Sequence, residues 1–190
     1  MPLPKAELRY SYSDYLTWDE KERWEILDGV PYMQVAPSRI HQEVSLSLLM
    51  FFANYLQGKP CKVYHAPFCV RLDAEKNDKD IMNVVEPDIT IVCDNSKLDD
   101  KGCKGSPDLI VEILSPSSVK IDRVDKFNKY EKAGIKEYWI VEPDQKLVSV
   151  FLLQSNGRYG RPEMYTNDDK IQVSIFSELE IDLKSVFDKI

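Results

Sequence analysis

The stretch PDLIVEILSPSS, residues 107–118, sets a short β-branched run, Leu109 to Leu114, between two prolines and places a carboxylate, Glu112, inside it. Runs of this length and composition form buried strands, and proline tolerates the start of a strand but not its centre. A second run of the same kind, Asp88-Ile-Thr-Ile-Val-Cys93 after Pro87, predicts a neighbouring buried strand. Side chains alternate along a strand, so positions 88, 90 and 92 share one face, and 108, 110, 112 and 114 share one face. Burying Glu112 as an ion is costly without a metal ion, a cation or hydrogen-bond donors. The strand therefore asks for a compensating partner, which Asp88 on the adjacent strand can share.

Working outward, the segment from Ser118 to Ala133 has helical spacing and ends at Gly134, a good positive-φ cap. At 100° per residue Val119, Lys126, Phe127, Tyr130 and Ala133 fall on one arc, with Lys126 at the edge of the core-facing stripe. Glu137 to Val141 predicts another strand, followed by a meander through 146–154, 158–165 and 170–173 with Asn156-Gly157 as a hairpin turn. Leu179, Leu183, Val186 and Phe187 predict a terminal amphipathic helix. Asn95 to Ser106 reads as a loop or short distorted helix.

Towards the N-terminus, Ser38 caps a long helix in which Ile40, Val44, Leu48, Leu49, Phe52 and Leu56 recur at helical spacing. Gly58-Lys59-Pro60 stops it. Cys61 to Leu72 predicts two strand segments around Pro67, and the polar stretch 73–83 an exposed loop. Asp28-Gly29 predicts a tight turn between a segment ending at Leu27 and a strand from Val30 to Val35. Ser13 is the expected cap of a short first helix with Leu16 facing inward.

The chain has 190 residues, enough for one domain spanning 1–190 that buries roughly 70% of the surface its unfolded chain exposes. Its composition excludes a collagen, a coiled-coil rod and a disulfide scaffold. A net charge of −7 disfavours a non-specific nucleic-acid coat. Cys61, Cys69, Cys93 and Cys103 form no CxxC pair, and no secretory or membrane-spanning run accompanies them, so reduced thiols in the cytoplasm and no membrane partner are expected.

Two carboxylates, a backbone carbonyl and waters suit Mg²⁺, a hard ion that keeps part of its water shell. His41 and His65, the only histidines, do not support a zinc site. A lysine entering the helix–sheet junction at 126 can approach the carboxylates or a phosphate; the alternative is a lysine that snorkels to water.

The runs EPDI at 86–89, PDLIVEILSPSS at 107–118, DRVDKFNKY at 122–130 and AGIKEYWIVEPD at 133–144 resemble the bacterial "putative restriction endonuclease" family of the PD-(D/E)XK nuclease superfamily. WEILDG at 24–29 and SRIHQEV at 38–44 extend the likeness over nearly the whole chain. The superfamily pattern has an Asp on one strand and Glu-x-Lys on the next. Asp88 and Glu112 match it, but Leu114 stands where the lysine belongs. In the resembled family the lysine is moved to the following helix, which Lys126 matches, and Glu25 matches an additional acidic position.

The resemblance implies an α/β, restriction endonuclease-like fold, a central mixed sheet flanked by helices with an N-terminal helix-hairpin region. It implies Mg²⁺-dependent hydrolysis of a DNA phosphodiester, with Mn²⁺ able to substitute. Asp88, Glu112 and the Ile113 carbonyl would hold the metal ion, Lys126 would orient water or stabilise developing charge, and Glu25 would bind a second ion or position a water. A homodimer with paired sites is also implied.

Each position has a plainer reading. Glu112 can be a structural ion pair, Asp88 a hydrogen-bonding cap after Pro87, and Glu25 a support for the Asp28-Gly29 turn. Asp108 has the same Pro-Asp context as Asp88, but in an extended strand it lies roughly 13 Å from Glu112; turn capping or support of a ligand fits it better. His41 and Gln42 can face the opening or only cap the helix, Tyr130 can orient Lys126 or simply pack, and Trp139 is similarly a packing candidate. From 118 to 139, six basic residues face four acidic ones, a local excess that could contact phosphate but that for most of these charges is better explained by a solvated helix with internal pairs. Two other functions compete with a DNA endonuclease: a non-catalytic nucleic-acid or protein interaction module on the same scaffold, and a nuclease-like subunit needing a further protein partner.

Overall fold

A strand apolar on both faces must be covered on both, and Leu109–Ile113 is buried at every position in the computed structural model, which describes residues 8–19, 21–73, 75–116 and 118–188. In chain order the elements are α1 (Tyr12–Tyr15), the hairpin β1 (Trp24–Leu27) and β2 (Val30–Met33), α2 (Arg39–Leu56), β3 (Lys62–His65), β4 (Val70–Arg71), β5 (Val84–Val85) and β6 (Ile89–Val92). There follow β7 (Leu98–Asp99), β8 (Gly102–Lys104), β9 (Leu109–Ile113), a π-helical turn over Ile121–Lys126 running into α3 (Phe127–Ala133), β10 (Glu137–Glu142), β11 (Leu147–Leu152), β12 (Glu163–Thr166), β13 (Lys170–Gln172), β14 (Glu180–Asp182) and α4 (Leu183–Phe187).

The expected mixed sheet is present as β12-β11-β10-β9-β6-β3, and a second six-stranded sheet, β2-β1-β5-β4-β8-β7, accompanies it. In the main sheet β9 and β10 are parallel, as a strand–helix–strand crossover through α3 requires, and the other neighbours are antiparallel. One face buries Leu109, Val111, Ile113, Trp139 and Val141 against Val44, Leu48 and Phe52 of α2 and Val186 and Phe187 of α4. The opposite face buries Ile110, Tyr138 and Ile140 with Tyr130 of α3 and with Leu27, Val70, Val85 and Cys103 of the second sheet.

Local chemistry accounts for most boundaries. Ser38 Oγ accepts from the His41 backbone N–H at 3.2 Å, capping α2. Asp28 and Gly29 both have positive φ, 50° and 78°, the geometry that a two-residue hairpin turn demands. Gly134 closes α3 at φ 82°.

Several expectations are corrected. The first helix is capped by Ser11, not Ser13, and Leu16 is 46% exposed while Tyr12 is buried, because a single turn offers only one inward position. Residues 95–106 open with the expected short distorted helix, a 3-10 turn over Asn95–Lys97, but continue into the small hairpin β7–β8, in which Cys103 and Lys104 pair with Val70 and Arg71 of β4. β13 does not continue the meander but pairs with β14. Leu179 therefore precedes a strand, and the terminal helix begins only at Leu183. Val119 is 41% exposed, since the wider π-helical turn breaks the 100° phase that placed it on the core stripe.

Cys61 and Cys93 are joined in a disulfide, and only Cys69 and Cys103 are free, which corrects the expectation of four reduced thiols. β3 pairs with β6 so that Lys62 opposes Val92, and the next pair outward is Cys61 and Cys93. The thiol argument for a cytoplasmic location lapses with that bond. Among the described residues no helix is long and apolar enough to cross a membrane.

Phe52 is fully buried and packs its ring 5.8 Å from that of Trp139. Phe52→Ala is expected to lower the unfolding free energy by about 3–5 kcal/mol in denaturant titrations, while Met50→Ala, on the exposed side of α2, changes it by less than about 0.5 kcal/mol.

Candidate active site

The register of β6 against β9 decides which Pro-Asp carboxylate meets Glu112. Ile89 opposes Val111 and Thr90 opposes Ile110, so the next pair outward is Asp88 and Glu112, side chains on one face. Asp108 lies at the other end of β9. There its Oδ2 accepts from the Cys93 N–H at 2.7 Å and its Oδ1 from Lys136 Nζ at 2.7 Å.

Glu112 projects from β9 towards the helix that follows. Its Oε1 accepts from Tyr130 Oη at 2.6 Å and from Lys126 Nζ at 2.9 Å. The Lys126 ammonium also meets Glu25 Oε1 at 2.9 Å and Asp122 Oδ1 at 3.4 Å. Glu25 comes from β1 in the second sheet, where the Glu86 N–H donates to its Oε1 at 2.8 Å and Gln34 Nε2 to its Oε2 at 2.6 Å. It does not brace the Asp28-Gly29 turn; Asp28 instead pairs with Lys129. Glu25, Glu112, Asp122 and Lys126 are all at most 3% exposed. The snorkelling reading of Lys126 therefore does not hold: the lysine head is inside and its stem crosses the helix–sheet junction.

Three buried carboxylates share one ammonium, and the electrostatics follow from that shortage. Burial pushes Glu112 well above the usual carboxyl range, with Asp122, Asp88 and Glu25 adding repulsion against the pull of Lys126. Burial likewise raises Glu25, opposed by Lys126. For Lys126, burial pulls downward, but the charges of Glu112, Glu25 and Asp122 outweigh it and hold the ammonium well above its ordinary value. Tyr130 is raised by burial and by Glu112, so it stays a neutral donor.

Asp88 sits at the rim of this cluster. Its Oδ2 accepts from the Ile113 N–H at 2.7 Å and faces His41 Nε2 at 3.2 Å. A cavity of ≈ 420 Å³ opens here, lined by Glu25, His41, Asp88, Glu112, Ile113 and Lys126, together with Arg23, Glu86, Asp122 and Asp144. Arg23 is paired with Glu86 at 2.9 Å. Gln42 is exposed and does not line the cavity.

The donor set fits a hard divalent ion. Asp88 and Glu112 present carboxyl oxygens to one cavity beside the Ile113 backbone, and a cation there would favour their ionised forms over the protonated ones that burial favours. Among the described residues no three His, Cys, Asp or Glu side chains form a cluster that could hold a metal by themselves. Mg²⁺ is ordinarily bound by one or two carboxylates with waters and substrate phosphate completing its shell, so the two-carboxylate arrangement suits it.

Asp122 is the cluster member that sequence reasoning missed, having counted it among the solvated helix charges; it is 3% exposed. Its signal was the spacing of four residues to Lys126. Glu137, also counted there, is fully buried and accepts from Trp139 Nε1 and the Ile175 N–H. Arg123 pairs with Glu142 and Lys136 with Asp108, so several of these charges tie the helix region to its neighbours.

The chain belongs to the Uma2 family, described as "Putative restriction endonuclease", whose model matches residues 12–184. Its function is accordingly of the nuclease type. It is 27% identical over 159 residues to the uncharacterised protein slr1290 of Synechocystis sp., an alignment covering 82% of this chain and 78% of that one. The fold is that of a crystal structure from Anabaena variabilis described as a "putative nuclease belonging to DUF820", with a TM-score of 0.75 at 18% identity, covering 94% of this chain and 97% of the other.

The raised carboxyl groups set a pH dependence. A native state that holds protons more tightly than the unfolded chain loses stability as pH rises through the interval from the ordinary value of 4.5 to the raised native one. In chelator, the wild-type unfolding free energy is expected to fall as pH is raised above 4.5, by at most about 1.4 kcal/mol per pH unit per proton. Glu112→Gln, which cannot ionise, should flatten that fall in urea titrations across the same pH range.

Proposed function

We propose that this protein is a metal-dependent DNA endonuclease hydrolysing phosphodiester bonds, with Asp88, Glu112, Lys126 and Glu25 as its site. The observation that carries the reading is a single ammonium, Lys126 Nζ, set 2.9 Å from both Glu25 and Glu112 in a cavity that Asp88 also lines. A divalent cation would stabilise such a surplus of buried carboxylate, and metal-assisted phosphodiester hydrolysis is served by an ion beside a fixed positive group.

Asp88 and Glu112 would hold Mg²⁺, with the Ile113 carbonyl at the same rim. The ion, when bound, supplies Lewis-acid polarisation of phosphate and a more acidic water. Lys126 contributes a charge that Glu25, Glu112 and Asp122 keep protonated, suited to orienting a water or meeting negative charge on a phosphate oxygen. Glu25 holds the ammonium from the second sheet, and Tyr130 fixes the Glu112 carboxylate by donating to it. Leu114, where the superfamily pattern has lysine, does not argue against activity when Lys126 reaches the carboxylates from the helix. Family resemblance adds the homodimer, in which paired sites would meet opposite strands.

Supercoiled and linear DNA incubated with metal-stripped protein should be cleaved once Mg²⁺ or Mn²⁺ is restored. Glu112→Ala and Lys126→Ala, purified in parallel to control for contaminating nucleases, should each lose roughly 100-fold or more of that activity. Cleavage undiminished in both variants would defeat the assignment; DNA binding without any metal-dependent cleavage would favour the interaction module.

A further inference from the structure

His41 is a polar side chain at this cavity to which the reading above gives no task. It stands in the first turn of α2, where the Ser38 cap fixes its backbone, and its side chain is 14% exposed. Its Nε2 lies 3.2 Å from Asp88 Oδ2, the Ile113 backbone also lies beside the ring, and its buried Nδ1 makes no hydrogen bond of its own. A buried polar nitrogen left unsatisfied is a desolvation penalty with nothing to offset it. A leucine or methionine there would pack on the same helix without that cost, so the imidazole needs a reason that its other nitrogen supplies.

We propose that His41 is a positioning residue that fixes the orientation of the Asp88 carboxylate for a divalent cation; the inference rests on the metal-site reading of Asp88 and Glu112. With Nε2 carrying the proton, the ring donates to the same Oδ2 that takes the Ile113 N–H at 2.7 Å. Two donors from two different elements, α2 and β9, thus converge on one oxygen. A carboxylate pinned through one oxygen has its torsion set, and Oδ1 carries neither of these bonds. His41 does not itself reach a phosphate or an ion: Nε2 is engaged by Asp88, and Nδ1 is shut away from solvent. Partners that orient a metal-binding carboxylate in this way change metal affinity by about 10- to 100-fold when removed.

The test is Mn²⁺ binding to the full chain without DNA, measured by the paramagnetic resonance signal of free Mn²⁺ at one fixed pH, with thermal unfolding recorded for every variant. His41→Ala should bind Mn²⁺ about 10- to 100-fold more weakly than wild type. His41→Gln, which keeps an N–H donor, should recover most of the loss, and His41→Met, which fills the space without a donor, should not. Should His41→Ala fail to fold, the comparison of Gln with Met decides: equal affinities overturn the proposal. Wild-type affinity in His41→Ala, alongside lost binding in Asp88→Ala, overturns the role of His41 and leaves the metal site standing. Wild-type affinity in Asp88→Ala and Glu112→Ala as well, or no Mn²⁺ binding by the wild type, overturns both.

Discussion

The organisation of this molecule turns on a buried ammonium that has more carboxylates around it than it can neutralise. Lys126 Nζ is within 3.4 Å of oxygens from Glu25, Glu112 and Asp122, all of them removed from water. Removing the ammonium would leave the buried carboxylates without a counter-charge, at a typical cost of about 3–5 kcal/mol. The contacts are also structural: Glu25 belongs to β1 of the second sheet, Glu112 to β9 of the main sheet, and Asp122 and Lys126 to the helical turn between β9 and β10. One cation therefore joins both sheets to the crossover, and the cavity lies where they meet.

The π-helical turn is what lets the lysine do this. An α-helix from Ser118 onward would carry Lys126 along the margin of the apolar stripe. The wider turn over Ile121–Lys126 alters the phase, exposing Val124 and burying both Asp122 and Lys126. Irregular turns of this kind recur at functional sites because they re-aim a side chain without ending the helix. Here the turn brings the Lys126 ammonium to the Glu112 and Glu25 carboxylates.

Much of this was legible in the chain itself. Short β-branched runs after proline located β6 and β9, the Ser38 cap and its apolar spacing located α2, and Asp28-Gly29 located the first hairpin. A carboxylate within Leu109–Ile113 was visible as a demand for a partner. What stayed hidden depends on register or on irregular backbone. The Cys61–Cys93 bond needs the alignment of β3 with β6, which no spacing in the sequence states. Asp122 looked like one more charge on a solvated helix because regular 100° spacing cannot foresee the π-helical turn. The second sheet eluded the reading because β4, β5 and β7 are two-residue strands, too short to show alternation.

Crystals of the protein soaked in Mn²⁺ and measured at the manganese absorption edge test the central claim most directly. An anomalous peak between the Asp88 and Glu112 carboxylates, at about 2.1 Å from an oxygen of each, with Lys126 Nζ still at the cavity wall, is the result this account predicts. A cavity without manganese, its glutamates held by Lys126 alone while the ion binds elsewhere, would contradict it.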